Sequence, residues 1–175
     1  TASAEFKRCG LKQSKWDTCQ FYLREHGKLQ GVLILHVDDC SVTGSDTFVH
    51  QMTTMLTAMG VTEFKAVDKK PVKYCGIWIA RDDQGQYFID QNQYIDMLEP
   101  LPLRSGRLCE MEINDVERSE LQSLLGALAW VATQTRPDIA VAISESVGRL
   151  APEQKPTVQL LRHVNAVLAD LQANR

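Results

Sequence analysis

The chain has no long apolar run, no paired cysteines and no excess of basic charge. No apolar stretch approaches the ~20 residues of a membrane span, and the start lacks a signal-peptide pattern, so no membrane association is expected. The five cysteines (Cys9, Cys19, Cys40, Cys75 and Cys109) are scattered, odd in number and free of any CxxC spacing. That excludes the zinc and disulfide frameworks readable from sequence and points to reduced thiols in an intracellular protein, cytoplasmic or nuclear. A net charge of −3 does not announce a nucleic-acid binder. No internal repeat, low-complexity stretch, phosphate-cradling glycine loop or nucleophile elbow is present. Because the chain starts at Thr1 without an initiator Met, it reads as a fragment or a processed product.

What remains is ordinary in bulk: 175 residues, 44% hydrophobic and 23% charged, enough for one cored domain or two small lobes. The charge is unevenly spread. Residues 1–30 carry six Lys/Arg against three Asp/Glu, and residues 61–81 five against two. From residue 110 onward nine acids face six bases. This is either a basic surface flanking a functional centre or plain solvated charge.

The stretch Gly31-Val-Leu-Ile-Leu-His-Val-Asp38-Asp39 stands out. An apolar run this short, after Gly27 and Gly31, predicts a buried strand that ends on two adjacent carboxylates. Cys40-Ser41-Val42 and the turn residues Thr43-Gly44-Ser45 predict a second strand, hence a hairpin with the carboxylates at its tip. Such a tip is either a site for a hard cation such as Mg²⁺, which prefers oxygen ligands, or a solvated turn.

Along the chain, residues 3–9 read as a short helix stopped by Gly10, and Gln20–Arg24 as a strand paired through His26-Gly27-Lys28 with the Gly31–His36 strand. A helix runs from Ser45 or Asp46 to about Met59, with Phe48, Val49, Met52, Met55, Leu56 and Met59 on one face. Residues 61–67, 72–80 and 86–89 read as three more strands, and 91–99 as a short helix closed by Pro100 and Pro102. Residues 101–115 look like a linker. Beyond it the chain reads as three helices, about 117–133, 138–149 and 156–172, with Thr135 as an N-cap and Pro137 at a first helical position. The expectation is α+β, with one antiparallel sheet covered by helices in residues 1–100 and a helical lobe in 116–175.

Several of these segments together carry a resemblance. Cys9-Gly-Leu-Lys-Gln-Ser14 with Asp17 and Phe21 resembles a Gly-Phe-x-Gln-Ser-x-x-Asp-x-x-x-Phe segment. Leu35-His-Val-Asp-Asp39 with Thr43-Gly44-Ser45 resembles an aromatic-Val-Asp-Asp signature followed by Thr-Gly-Ser. Tyr74-Cys-Gly-Ile-Trp-Ile79 is similar to a Phe-Leu-Gly-Ile-Glu-Ile strand, and Gln91-Asn-Gln-Tyr94-Ile95 to a Gln-Lys-Lys-Tyr-Ile helix start. Leu124-Leu-Gly126-Ala-Leu-Ala-Trp130 with Thr135-Arg-Pro-Asp-Ile-Ala140 resembles Gly-x-Leu-x-Tyr-x-x-x-x-Thr-Arg-Pro-Asp-Ile-Ala. These motifs, in this order, are those of the reverse transcriptase of copia-type LTR retrotransposons.

The resemblance implies the rear of a polymerase palm (residues 1–100), then thumb and connection (116–175). It implies Mg²⁺, or Mn²⁺, held by Asp38 and Asp39 as catalytic and metal-ligating residues, with weak binding in this chain alone. It further implies an RNA/DNA template-primer and a deoxynucleoside triphosphate as partners, and an upstream fingers and palm half carrying another catalytic Asp. His36, in place of the family's aromatic, would lie near the primer terminus. Gly76 and Lys73 would belong to the strand that grips the primer backbone, where Cys75 replaces Leu as a small buried residue. Arg136 is either a contact to nucleic-acid backbone or half of an ion pair with an acidic neighbour. Lys65, Lys69, Lys70 and Lys73 either follow a phosphate backbone or make a solvated edge. Trp16, Trp78 and Trp130 are expected as core anchors; His26 and His163 lack companions at metal spacing. Two function classes follow: part of an RNA-directed DNA polymerase, or a decayed or repurposed, non-catalytic retroelement domain acting as a binding module.

Overall fold

The computed structural model describes residues 2–37, 39–68, 70–151 and 153–174. Asp38 and Lys69 lie outside the described residues. The fold is α+β, with two small antiparallel sheets and six α-helices among the described residues. Contacts divide the chain into two compact units, residues 1–65 and 66–175. Segment 66–100, assigned above to the first lobe, is thus grouped with the helical part.

In the first unit, α1 (Ala2–Arg8) leads into a four-stranded sheet in the order β1-β2-β3-β4. Its strands are β1 (Lys12–Gln13), β2 (Gln20–Glu25), β3 (Lys28–His36) and β4 (Asp39–Gly44). Alternation decides the faces. Phe21, Leu33 and Leu35 point to one side, where they join Phe6 of α1 and Phe48, Met52, Met55 and Leu56 of α2 (Asp46–Ala58) in a single core. The predicted N-cap holds: the Ser45 hydroxyl accepts the Phe48 N–H at 3.3 Å. At the other end the N–H groups of Gly60 and Val61 bond back to the carbonyls of Thr57 and Leu56 and close the helix.

Gly31 and Gly44 are directly paired across β3 and β4, and the Phe48 ring lies over both. A Cβ on Gly31 would come within 2.1 Å of the ring, and one on Gly44 within 2.8 Å. Only glycine at both positions lets the helix approach this closely.

Residues 61–66 are irregular, although a strand is expected over 61–67. Val61 and Phe64 are exposed, and their apolar character therefore marks no buried strand. The second unit begins with a three-stranded sheet, β5 (Val72–Tyr74), β6 (Ile77–Arg81) and β7 (Tyr87–Asp90), all antiparallel. The single strand expected over 72–80 is thus broken by a turn at Cys75-Gly76, and the strands form two sheets where one is expected. Then come α3 (Asn92–Asp96), α4 (Asp115–Gln134), a 3₁₀ turn at Pro137–Ile139, α5 (Ala140–Gly148) and α6 (Val158–Ala173).

Leu121, Leu125, Leu128 and Val131 of α4 recur at three and four residues and pack with Ile143, Leu161, Val164, Leu168 and Leu171. Ile95 and Leu101 belong to the same core. The segment expected as a linker has no helix or strand of its own, yet it is strapped down. Leu101 exchanges two hydrogen bonds of 2.8 Å with the Asn165 side chain. Arg107 pairs with Glu117, which is 6% exposed and also accepts the Asn114 N–H at 2.9 Å. The Asn114 side chain in turn accepts the Glu117 N–H, making a capping box at the start of α4. Arg107 and the Asn114 N–H together hold the Glu117 carboxyl below the usual carboxylate range.

Two glycines with opposite surroundings test this packing. Gly31→Ala is expected to destabilise the protein by about 2 kcal/mol through overpacking against Phe48. Gly126→Ala, in α4 with no atom within 4 Å of the added Cβ, is expected to be neutral or to stabilise by about 0.5–1 kcal/mol. Urea unfolding followed by backbone circular dichroism reads both; equal effects would contradict the packing described.

Candidate functional site

The hairpin of β3 and β4 is built by the apolar strand it contains. Inward side chains at alternate positions fasten β3 to α2, and the register runs without a break from Gly31↔Gly44 to His36↔Asp39. His36 and Asp39 are therefore the closing pair of the hairpin, with two positions of the sequence between them. Tight loops of this kind require a positive φ at the first central residue. Val37 has φ +51° and is 83% exposed. A β-branched residue in this region costs about 1–2 kcal/mol, which the flanking strands must offset.

The same device occurs in two other hairpins. His26-Gly27 joins β2 to β3 and Cys75-Gly76 joins β5 to β6, with φ of +49° and +79°, and +49° and +81°. Both have glycine second. After Val37 the sequence has an aspartate and no glycine.

Asp39 is exposed, as is His36 opposite it. Among the described residues no ion pair involves Asp39, and no group of three or more His, Cys, Asp or Glu lies close enough together to hold a metal. The expected pairing of Asp38 with Asp39 at the tip falls on Asp38, outside the described residues. Cys40, the neighbour of Asp39, points to the core side with Leu35, and burial pushes its thiol up to about 11. A protonated thiol is a poor ligand, so Cys40 does not compete with an oxygen ligand beside it.

Gly76 and Lys73 lie in the second unit. Gly76 turns the β5–β6 hairpin and faces the Trp130 ring, whose Cη2 would be 2.9 Å from an added Cβ. Trp130 also packs edge-on against Tyr94, with ring centroids 4.7 Å apart. Lys73 is exposed on β5. Cys75, expected as a small buried residue, is exposed because its place in the turn points it away from the strand faces.

The Arg136 guanidinium grips Asp138 through Nε and Nη2 at 2.9 and 2.7 Å and donates from Nη1 to the Asn174 carbonyl at 2.8 Å. This is the ion-pair alternative for Arg136, and it holds the Asp138 carboxyl below its usual range. Thr135 ends α4 rather than capping the next helix, and its hydroxyl donates to Gln91 Oε1 at 2.8 Å. Lys65 pairs with Glu63 at 3.2 Å, both exposed.

The expectation of three core tryptophans fails at Trp16, which is 90% exposed. Its loop, residues 14–19, satisfies its own backbone: Ser14 Oγ accepts from Trp16 N at 3.2 Å, and Asp17 Oδ1 from Cys19 N at 2.8 Å. Trp78 is partly buried, its Nε1 donating to Gln93 at 3.2 Å. The capping box at Asn114 was legible in the spacing Asn-x-x-Glu, which sets the α4 start two residues before 117.

Comparison with protein-family models, with curated proteins and with solved structures gives no match. No helix among the described residues is long and apolar enough to cross a membrane.

Thiol chemistry checks the hairpin directly. At pH 8, alkylation followed by peptide mass spectrometry is expected to label the exposed Cys19 and Cys75 and to leave Cys40 intact. Cys40 labelling is expected to rise only as the pH approaches about 11, where the thiolate forms. Labelling of Cys40 at pH 8 at the rate of Cys75 would contradict the placement of its side chain.

Proposed function

We propose that this chain is part of an RNA-directed DNA polymerase of the copia retroelement type. In this reading residues 1–100 are the rear of the palm and residues 116–175 belong to thumb and connection. The observation that carries it is the β3–β4 hairpin: an apolar strand clamped to α2 runs to the closing pair of His36 and Asp39, and the sequence has a second aspartate, Asp38, beside Asp39. Asp39 is exposed at that pair. The ordered series of motifs from about residue 9 to about residue 170 supports the same reading.

The donor set suits a hard cation. Mg²⁺ commonly takes one or two carboxylates from a protein and the rest of its oxygens from water and phosphates. Asp38 and Asp39 would hold the ions, with Mn²⁺ as the close substitute. When bound, such ions increase the nucleophilicity of a primer 3′-hydroxyl and neutralise charge on the leaving pyrophosphate. The chain's own task is to keep the carboxylates still: β3 and β4 fix the turn, and α2 fixes the strands. His36, opposite Asp39, faces the same side and would lie beside the primer terminus. The triphosphate and the template-primer need an upstream fingers and palm half with a further Asp, so the chain by itself is inactive.

Primer extension on an RNA template with Mg²⁺ or Mn²⁺ tests this. The isolated chain is expected to give no extension, and an upstream-extended protein to extend the primer. Asp38→Asn in the extended protein is expected to lower the rate by more than about a hundredfold, the upper range for loss of an outer partner of a metal ligand. Extension by the isolated chain would overturn the divided site. Inactivity of the extended protein would favour a non-catalytic retroelement domain, with His36 as the first substitution to revert.

A further inference from the structure

The three-stranded sheet of the second unit ends on an unprotected edge. Among the described residues β7 pairs with β6 on one side and with no strand on the other. Its three large side chains, Tyr87, Phe88 and Ile89, are 64%, 50% and 51% exposed. Alternation puts Tyr87 and Ile89 on one face and Phe88 on the other, so the apolar surface wraps around the edge. The other outer strands carry features that hinder further pairing. β5 follows Pro71 and bears the exposed Lys73, β1 is two residues long and includes the exposed Lys12, and β4 begins on the exposed Asp39. β7 has no lysine, no proline and an unbroken register.

The hydrogen bonds of the β6–β7 ladder fix what the free edge offers. Asp82 N donates to the Gln86 carbonyl at 3.0 Å, which makes these two a hydrogen-bonded pair. The alternation of an antiparallel ladder then makes Ala80–Phe88 the next such pair, and Arg81–Tyr87 and Ile79–Ile89 the non-hydrogen-bonded ones. The amide and carbonyl groups of Tyr87 and Ile89 therefore point away from β6.

Their spacing suits the same strand running the other way. About a two-fold axis at Phe88, Tyr87 of each copy exchanges two hydrogen bonds with Ile89 of the other, which satisfies every outward group. The same register lays Tyr87 beside Ile89 of the second copy on one face and sets the two Phe88 rings together on the other. Asp90 comes opposite the uncharged Gln86, so no like charges meet in the ladder.

We propose that β7 is a dimerisation edge whose occupant is β7 of a second copy of this chain. A strand of other sequence would take the same hydrogen bonds; the self-complementary register of side chains is what favours a second copy. The contact covers three half-exposed side chains and a short backbone segment per copy, on the order of 800 Å² in all. That is at the low end for specific association, so the dimer is reversible and depends on concentration. It involves neither Asp38 nor Asp39 and stands independently of the polymerase reading.

Sedimentation equilibrium of the full chain, from micromolar to several hundred micromolar and under reducing conditions, tests this. The mean mass is expected to rise with concentration from one chain and to level off at two. Phe88→Lys sets like charges against each other on the two-fold axis and is expected to weaken association more than about tenfold, with far-UV circular dichroism unchanged. Cross-linking reads the register in a Cys19→Ser, Cys75→Ser background. Phe88→Cys is expected to form an interchain disulfide on mild oxidation, because directly opposed Cβ atoms lie about 5 Å apart. Tyr87→Cys is expected to form far less, since its two copies lie diagonally at about 7–8 Å. A chain that stays monomeric throughout, a mass that climbs past two chains, or a dimer that Phe88→Lys leaves intact would overturn the proposal. Equal cross-linking of the two cysteine variants would overturn it as well.

Discussion

The first unit depends on one contact, the Phe48 ring against the Gly31–Gly44 pair. Two glycines facing each other in a ladder are a weak point in any sheet, because neither has a side chain to pack. Here the weakness is filled from the helix: Phe48 supplies the missing apolar surface and brings α2 into close contact with the two strands. The glycine pair fixes which face of β3 meets the helix. Once that face is chosen, the period of two places Leu33 and Leu35 in the core and turns His36 outward. The register then brings Asp39 opposite His36 and leaves two residues for the turn.

The turn shows where the free energy of that packing goes. A valine at positive φ is unfavourable, and a loop of this length allows no alternative at its first central position. In two of the three hairpins the second position is glycine, the residue that suits such a turn. Between His36 and Asp39 the sequence has Val-Asp, without a glycine. A chain selected only for a stable turn would use Asn-Gly or a close equivalent. Strain at Val37, held by a well-packed scaffold beside the exposed Asp39, is how functional turns are commonly built.

Much of this was legible in the sequence, for physical reasons that can be named. The α2 helix announced itself by apolar residues at three- and four-residue spacing and by Ser45 before them. The β3–β4 hairpin announced itself by an apolar run that ends abruptly on charge. What failed were the elements whose signal is not periodic. Val61 and Phe64 looked like strand residues only by type, and nothing in the local pattern says whether a partner strand exists. The Cys75-Gly76 turn was missed because cysteine at positive φ has no compositional cue, so one strand was read where the chain folds back. Thr135 sits before a proline like an N-cap, but its hydroxyl is taken by Gln91, 44 residues earlier in the chain. Trp16 was misread for the opposite reason: tryptophan is usually drawn inward, and nothing in the local pattern says that this one is exposed.

The proposal on which the rest turns is that Asp38 and Asp39 take a hard divalent cation. Paramagnetic relaxation by Mn²⁺ tests it in the isolated chain, where weak binding is sufficient for detection. In a ¹H–¹⁵N spectrum, substoichiometric Mn²⁺ is expected to broaden the amides of residues 36–40 first. Excess Mg²⁺ should reverse the effect, and Asp38→Asn with Asp39→Asn should remove it. Broadening that begins instead at the acidic start of α4, around Asp115 and Glu120, or that is uniform over the chain, would contradict it.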